Sequence, residues 1–267
     1  MSDIKLVLSD VDGTLVTKDK VLTDKSIEVV HELGEAGIIF ALTSARPPQG
    51  LAMFVEPLHL TTPLSGFNGG LITDTSFRVL KEKAIESALA APIIELLQAH
   101  ELSVWVYQDA DWYVLDPDEP HVDHEAKTCE CEPTVVANFD GVETSVTKIV
   151  GVSDDSRASA AANEAMQRRF AGQVLATRSQ SYFLDVTHPD ASKGNVVKYL
   201  STLYDIPTSD IATIGDMQND LSMFAVSGLS VAMGNADDEV KSAAREVTTS
   251  NDDEGFANAI KKFILSK

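Results

Sequence analysis

Two carboxylates, Asp10 and Asp12, stand two positions apart directly after the apolar run of residues 4–9, and Gly13-Thr14-Leu15 follow them. If the chain turns there, as Gly13 permits, both carboxylates converge on one place. One can then attack as a nucleophile while its neighbour transfers protons. An acidic turn that only caps a strand would use the same residues. A calcium loop would not, because its sixth position is Leu15 instead of glycine and its twelfth is Val21 instead of glutamate.

Three further segments carry residues of matching chemistry. Ser192-Lys193-Gly194 precedes a helical pattern over 196–204. A lysine there opposes the helix dipole, which a phosphate shared between the ammonium and the first amides would offset; a solvated lysine is the plainer alternative. Asp216 and Asp220 in Gly215-Asp216-Met217-Gln218-Asn219-Asp220 lie four residues apart at a helix entry. That spacing lets them hold one hard cation, or else serves helix capping. Thr43-Ser44-Ala45-Arg46 offers a hydroxyl for a phosphate oxygen, or a strand-end turn, and Asn68 in Phe67-Asn68-Gly69-Gly70 suits a substrate contact, an Arg46 contact or a turn. His121, His124, Cys129 and Cys131 are zinc-ligand types, but Cys-x-Cys is tighter than the usual ligand gap and loop histidines are commonly solvated.

The elements that must position these residues read as an α/β chain. Short apolar runs at 4–9, 38–42, 211–214 and 229–233 suit buried strands, and Ile27, Val30 and Leu33 give 24–36 a helical period stopped by Gly37. Strands alternating with helices imply a parallel sheet, and ligands of such sheets sit at the carboxyl ends of strands. Asp10, Ser44 and Asp216 all fall at that edge on separate strands. The middle differs: strand-like stretches at 103–108, 112–115 and 147–152 and an alanine-rich helix near 158–170 indicate an α+β unit. The expected organisation is a Rossmann-like parallel-sheet core in two parts, 1–82 and 186–267, with an inserted α+β cap domain at 83–185.

Composition bounds the partners. The 267 residues carry 41 acidic and 21 basic side chains, a net charge of −20. Such a field repels nucleic acid and anionic membrane, so neither is an expected partner, and any anion site needs a metal or a cluster of donors. No run reaches the roughly 20 apolar residues of a membrane span. The start, Met1-Ser2-Asp3-Ile4-Lys5, lacks a signal-peptide layout, and the two cysteines stand two positions apart. These features point to the cytoplasm; between monomer and homodimer the sequence makes no choice.

Taken together, Asp10-Val-Asp-Gly-Thr14, Thr43-Ser-Ala-Arg46, Ser192-Lys-Gly194 and Gly215-Asp-Met-Gln-Asn-Asp220 occur in the order of the four haloacid dehalogenase motifs. The set resembles the Cof-type sugar-phosphatase branch, with support from 67–70, 232–236 and 251–255. One departure is Ser44-Ala45 where a Thr-Gly pair is usual; it keeps the hydroxyl. The resemblance implies a magnesium-dependent hydrolase that removes phosphate from a small phosphorylated metabolite, such as a sugar phosphate. Asp10 would form an aspartyl-phosphate, Asp12 would act as acid and then base, and Ser44 and Lys193 would hold phosphoryl oxygens. Thr43, Arg46 and Asn68 join the substrate contacts. Magnesium would be held by Asp10, the Asp12 backbone carbonyl and Asp216, with Asp220 supporting and Asn219 beside it. A phosphotransferase of the phosphomutase kind, passing the phosphoryl group to a second sugar hydroxyl, and a non-catalytic sugar-phosphate sensor are the competing readings. The paired nucleophile and acid argue against the sensor.

Overall fold

The run Leu6–Ser9 shows no polar alternation because both of its faces are covered. In the computed structural model, which describes residues 3–142 and 144–266, this strand is β1 and is buried throughout. Met1 and Ser2 of the amino-terminal reading lie outside the described residues. Val7 packs into one apolar cluster with Val29, Val30 and Leu33, and Leu6 and Leu8 pack into another with Val196, Val197 and Leu200. Each such side chain withdrawn from water contributes roughly 1.5–3 kcal/mol.

In chain order the first part continues with α1 (Asp24–Glu35), β2 (Ile39–Thr43), α2 (Ala52–Val55), β3 (Leu64–Gly66), β4 (Leu71–Thr73) and β5 (Val79–Glu82). The Thr23 side chain caps α1 by accepting from the Ser26 amide, and Gly37 ends it at a φ of 74°. Then follow α3 (Ser87–Ala99), β6 (Ser103–Gln108), β7 (Asp111–Val114), α4 (Val122–Cys129), β8 (Thr134–Val135), β9 (Val146–Val152), α5 (Ser156–Arg169), β10 (Leu175–Arg178) and β11 (Phe183–Thr187). The last part holds α6 (Lys193–Tyr204), β12 (Ile211–Gly215), α7 (Leu221–Phe224), β13 (Leu229–Ala232), α8 (Asp238–Ala243), β14 (Glu246–Val247) and α9 (Gly255–Ala259).

The core sheet runs β14-β13-β12-β1-β2-β3-β4-β5. Its strands are parallel from β14 to β3, and β4 and β5 add an antiparallel edge that the sequence patterning did not indicate. The inserted unit is a second sheet, β10-β11-β9-β6-β7-β8, antiparallel except for the β7–β8 pair. One face of that sheet packs on α3 and α5 through Ile93, Leu97, Ile149, Ala162 and Met166. Its other face, with Trp105, Tyr107, Trp112 and Val150, meets Phe67 and Leu71 of the core. The fold is therefore a parallel-sheet α/β core carrying an α+β cap. Among the described residues no helix is long and apolar enough to cross a membrane.

Gly66 shows how tightly the core loop under the cap is set. A Cβ there would lie 2.5 Å from Pro48 Cδ and 2.7 Å from Pro48 N. Gly66→Ala should cost about 1–3 kcal/mol by displacing that turn. Thermal unfolding measures this, and an unchanged midpoint would show that the turn yields freely.

Candidate active site

Asp10 follows β1, Ser44 follows β2 and Asp216 follows β12, so three adjacent parallel strands deliver them to one edge. The loop after β1 turns at Gly13, whose φ is 80°, and a Cβ there would collide with the Asp216 carboxylate. The glycine thus lets backbone lie directly against that side chain. Thr14 Oγ1 donates to Asp216 Oδ1 at 3.0 Å, and Asn235 Nδ2 donates to Asp216 Oδ2 at 3.1 Å and to the Gly13 carbonyl at 2.9 Å.

Lys193 is the first residue of α6, three positions earlier than the helical pattern indicated, with Ser192 as its cap. Its side chain is fully buried, and Nζ lies 2.6 Å from both Asp10 Oδ1 and Asp220 Oδ1. Asp220 Oδ2 accepts the backbone amides of Asp216 and Met217 at 2.8 and 2.9 Å. Asp220 therefore fixes the loop that carries Asp216 and anchors the lysine at the same time.

Asp12 turns away from this cluster. Arg46 grips it with Nε to Oδ2 and an Nη to Oδ1, both at 2.7 Å, and Lys20 Nζ lies 2.6 Å from Oδ1. The buried Arg46 also donates through its other Nη to the Thr128 carbonyl of α4, at 2.9 Å, and to the Gly50 carbonyl at 3.3 Å. One guanidinium thus joins the second carboxylate of the first motif to the cap.

The remaining candidates take up structural bonds as well. The Thr43 and Ser65 hydroxyls lie 3.1 Å apart, and Ser44 Oγ accepts the Arg46 amide at 3.1 Å. Asn68, at a φ of 56°, donates its amide to the Ser44 carbonyl at 2.7 Å and accepts from Asn219 Nδ2 at 2.9 Å. His121 stacks on Tyr182 and its Nε2 lies 2.8 Å from Asp154 Oδ1, while Cys129 Sγ lies 3.3 Å from Glu125 Oε1. Thr14, Lys20 and Asn235 carried no assigned role in the sequence. Thr14 stood within the first motif and Asn235 within a supporting segment, whereas Lys20 lay in neither.

The electrostatics follow from three carboxylates facing one ammonium. Burial is the largest influence on Asp10 and raises its pKa well above the ordinary value; Lys193 opposes this, and Asp220 and Asp216 reinforce it. Burial and then the Asp220 charge push Asp216 up to about 6, against the Thr14 hydrogen bond and Lys193. Burial alone would lower the Lys193 pKa, but Asp10 and Asp220 outweigh it and raise it. Burial would raise Asp12, yet the Arg46 hydrogen bonds and charge, with Lys20, hold it at about 2. The carboxylate oxygens of Asp10, Asp216 and Asp220 lie within 4.8 Å of one another. An all-oxygen set with unbalanced negative charge fits a hard divalent cation such as magnesium.

Residues 7–260 match the family model for haloacid dehalogenase-like hydrolases. A Haemophilus influenzae relative, whose phosphatase name is itself provisional, is 30% identical over 254 residues and 95% of each chain. A Bacillus subtilis relative named 5-amino-6-(5-phospho-D-ribitylamino)uracil phosphatase is 27% identical over 98% of each chain. The crystal structure of a haloacid dehalogenase-like hydrolase from Bacteroides thetaiotaomicron is similar with a TM-score of 0.89 at 27% identity, covering 97% of this chain and 99% of its own.

The raised carboxyls set the sign of a stability measurement. A carboxyl whose folded pKa is raised binds its proton more tightly folded than unfolded, so its favourable share is present below the unfolded value and is lost as pH rises through about 6 for Asp216. In chelator, the melting temperature should fall between about pH 4 and pH 6, and Asp216→Asn should flatten that fall. Equal slopes for the two proteins would contradict the assignment. Magnesium at a hundred times its dissociation constant should restore about 2.7 kcal/mol at neutral pH.

Proposed function

This chain belongs to the haloacid dehalogenase-like hydrolase family, and from that premise we propose that it is a magnesium-dependent phosphomonoesterase of small phosphorylated metabolites, working through an aspartyl-phosphate on Asp10. The observation that carries the reading is the Asp10–Lys193–Asp220 arrangement beside Asp216, with Asp12 held close by but apart. A nucleophile and a proton-transfer group stand on one loop, and cationic donors stand where a phosphoryl group would develop charge.

In this mechanism an Asp10 oxygen attacks phosphorus, and the bond from phosphorus to the leaving oxygen breaks as the acyl phosphate forms. The leaving oxygen takes a proton from Asp12. Water then attacks the acyl phosphate, gives a proton to Asp12 and releases inorganic phosphate, which restores Asp10. Lys193 and Ser44 position phosphoryl oxygens. Magnesium, held by Asp10, Asp216 and the Asp12 carbonyl with Asp220 behind them, would supply positive charge that offsets repulsion between Asp10 and the substrate. The two raised carboxyls do not obstruct this, since a bound cation favours their ionised forms.

Asp12 held at about 2 is ionised, the form needed to accept a proton from water but not to donate one. The Arg46 fork that holds it has the shape to grip phosphoryl oxygens bidentately. A phosphoryl group entering the site competes for that fork, and Asp12 released from it rises towards an ordinary carboxyl that can carry the proton. Cap residues 83–185 cover the reaction and reach the leaving group. Sugar phosphates and related polyol phosphates are the proposed substrates; the Bacillus subtilis relative's name places its phosphate on a ribityl chain, which is a polyol.

The test is release of inorganic phosphate from a panel of metabolite monophosphates with no acceptor added. Activity should vanish in excess chelator and return with magnesium, whereas calcium, larger and taking more oxygen ligands, should support it poorly. Asp10→Asn should lower turnover by about three orders of magnitude or more, with deamidation excluded by mass spectrometry. Near-wild-type turnover by that variant would refute the mechanism.

A further inference from the structure

The two cysteines of the chain stand where the cap meets Arg46. Cys129 is the last residue of α4 and is buried, and Cys131 follows two positions later, half-buried. Glu130 between them sits at φ 50° and ψ 39°. A residue in that left-handed helical conformation sets the flanking Cα atoms roughly 5.4 Å apart, the i to i+2 spacing of a helix. Disulfides usually form at Cα separations of about 4.4–6.8 Å. The Cys129 thiol has one proton and two acceptors in reach, Glu125 Oε1 at 3.3 Å and the Cys131 sulfur.

A zinc site does not account for these thiols. His121 is taken by Tyr182 and Asp154, and among the described residues the cysteines join no group of three metal-ligand atoms. Nor would a bond between them be a structural staple, because closing so short a loop constrains the unfolded chain little. The chemistry they do match is reversible oxidation. The hydrogen bond from Cys129 holds the Cys131 pKa below the ordinary thiol value, against burial and the Glu125 and Glu132 charges. A reachable thiolate beside a second thiol is the arrangement of a redox-sensing pair. The chain has no third cysteine, so the pair has no other intramolecular partner.

We propose that Cys129 and Cys131 are a modification site at which a peroxide forms a reversible disulfide, and that this bond frees the end of α4 from Arg46. The Cys131 thiolate attacks one oxygen of hydrogen peroxide, the O–O bond breaks, and the departing hydroxide takes up a proton as water. The Cys129 sulfur then attacks the resulting Cys131 sulfenic acid. The S–S bond forms, the S–O bond breaks, and the leaving hydroxide takes the Cys129 proton as a second water. Two thiols thereby lose two electrons to one peroxide.

An S–S bond of about 2.05 Å is far shorter than the contact distance of two thiols, so the turn through Glu130 must shift to close it. The Thr128 carbonyl belongs to the peptide group that enters Cys129, and it accepts Arg46 Nη1 at 2.9 Å. Cys129 also packs against Gly50, where an added Cβ would lie 3.3 Å from the Cys129 Cα and Cβ. The Gly50 carbonyl accepts the same Arg46 nitrogen. Oxidation therefore disturbs the contact through which the cap holds the arginine that grips Asp12.

The experiment treats the reduced full-length protein with a small excess of hydrogen peroxide and weighs the tryptic peptide 128–148, which contains both cysteines. That peptide should lose the mass of two hydrogens and regain it in dithiothreitol. Cys131→Ser should be inert to the same treatment, and Cys129→Ser should stop at a Cys131 sulfenic acid that dimedone labels. Amide exchange in α4 should quicken about tenfold or more in the oxidised wild type, because the helix loses a tertiary contact. It should slow again on reduction, and peroxide-treated Cys131→Ser should keep the slow exchange throughout. Peroxide that leaves both thiols free would overturn the site. So would a Cys131 sulfinic acid beside a still-reduced Cys129, or a disulfide that links two chains. A Cys129–Cys131 disulfide that forms without altering exchange in α4 would overturn the coupling to Arg46.

Discussion

The ammonium of Lys193 is the interaction on which the carboxyl edge of the core sheet depends. Three carboxylates from two distant parts of the chain could not be buried together without it. It contacts Asp10 and Asp220 at 2.6 Å each, and Asp220 in turn holds the Asp216 loop by two backbone amides. Withdrawing an ammonium from water costs several kcal/mol, which only close pairing can offset. Its place at the first position of α6 adds a further dipole cost. The arrangement is stable because each of its charges is unfavourable without the others.

Arg46 is the counterpart at the cap. Its fork on Asp12 and its bond to the Thr128 carbonyl use different nitrogens of one planar group. The plane therefore cannot turn to serve one partner without disturbing the other. Position of the cap and availability of Asp12 become two readings of one side-chain orientation, with the exposed Lys20 sharing Asp12 Oδ1 with that group.

The alternating apolar runs made the core strands readable, because a parallel strand covered on both faces has no reason to carry polar residues. Asp10, Ser44 and Asp216 could be gathered on one edge for the same reason. The start of α6 was displaced to Val196 in the sequence because its first turn, Lys193-Gly194-Asn195, is polar. Whether Lys193 was solvated or buried is not written in its neighbours; its partners stand 183 and 27 positions away. The antiparallel edge strands were hidden because β5 is largely exposed and short. Arg46 was placed among the substrate contacts, and its bonds to Asp12 and Thr128, 34 and 82 positions away, have no signature in the local sequence.

The split of the core around the cap also sets an order of assembly. β1 is flanked by β2, which follows it closely, and by β12, which arrives after the whole insertion. Lys193 is synthesised 183 positions after Asp10, a delay of about ten to forty seconds at ordinary translation rates. Through that interval one side of β1 has no partner strand and Asp10 has no counterion. The cap sheet, made of contiguous chain, can form in that time, while the parallel pairing that completes the core waits for the carboxyl-terminal segment. Long-range parallel pairing is the slow class of folding event. A nascent chain whose cap has formed by then would still have an unfinished core, with one edge of β1 open to wrong pairing.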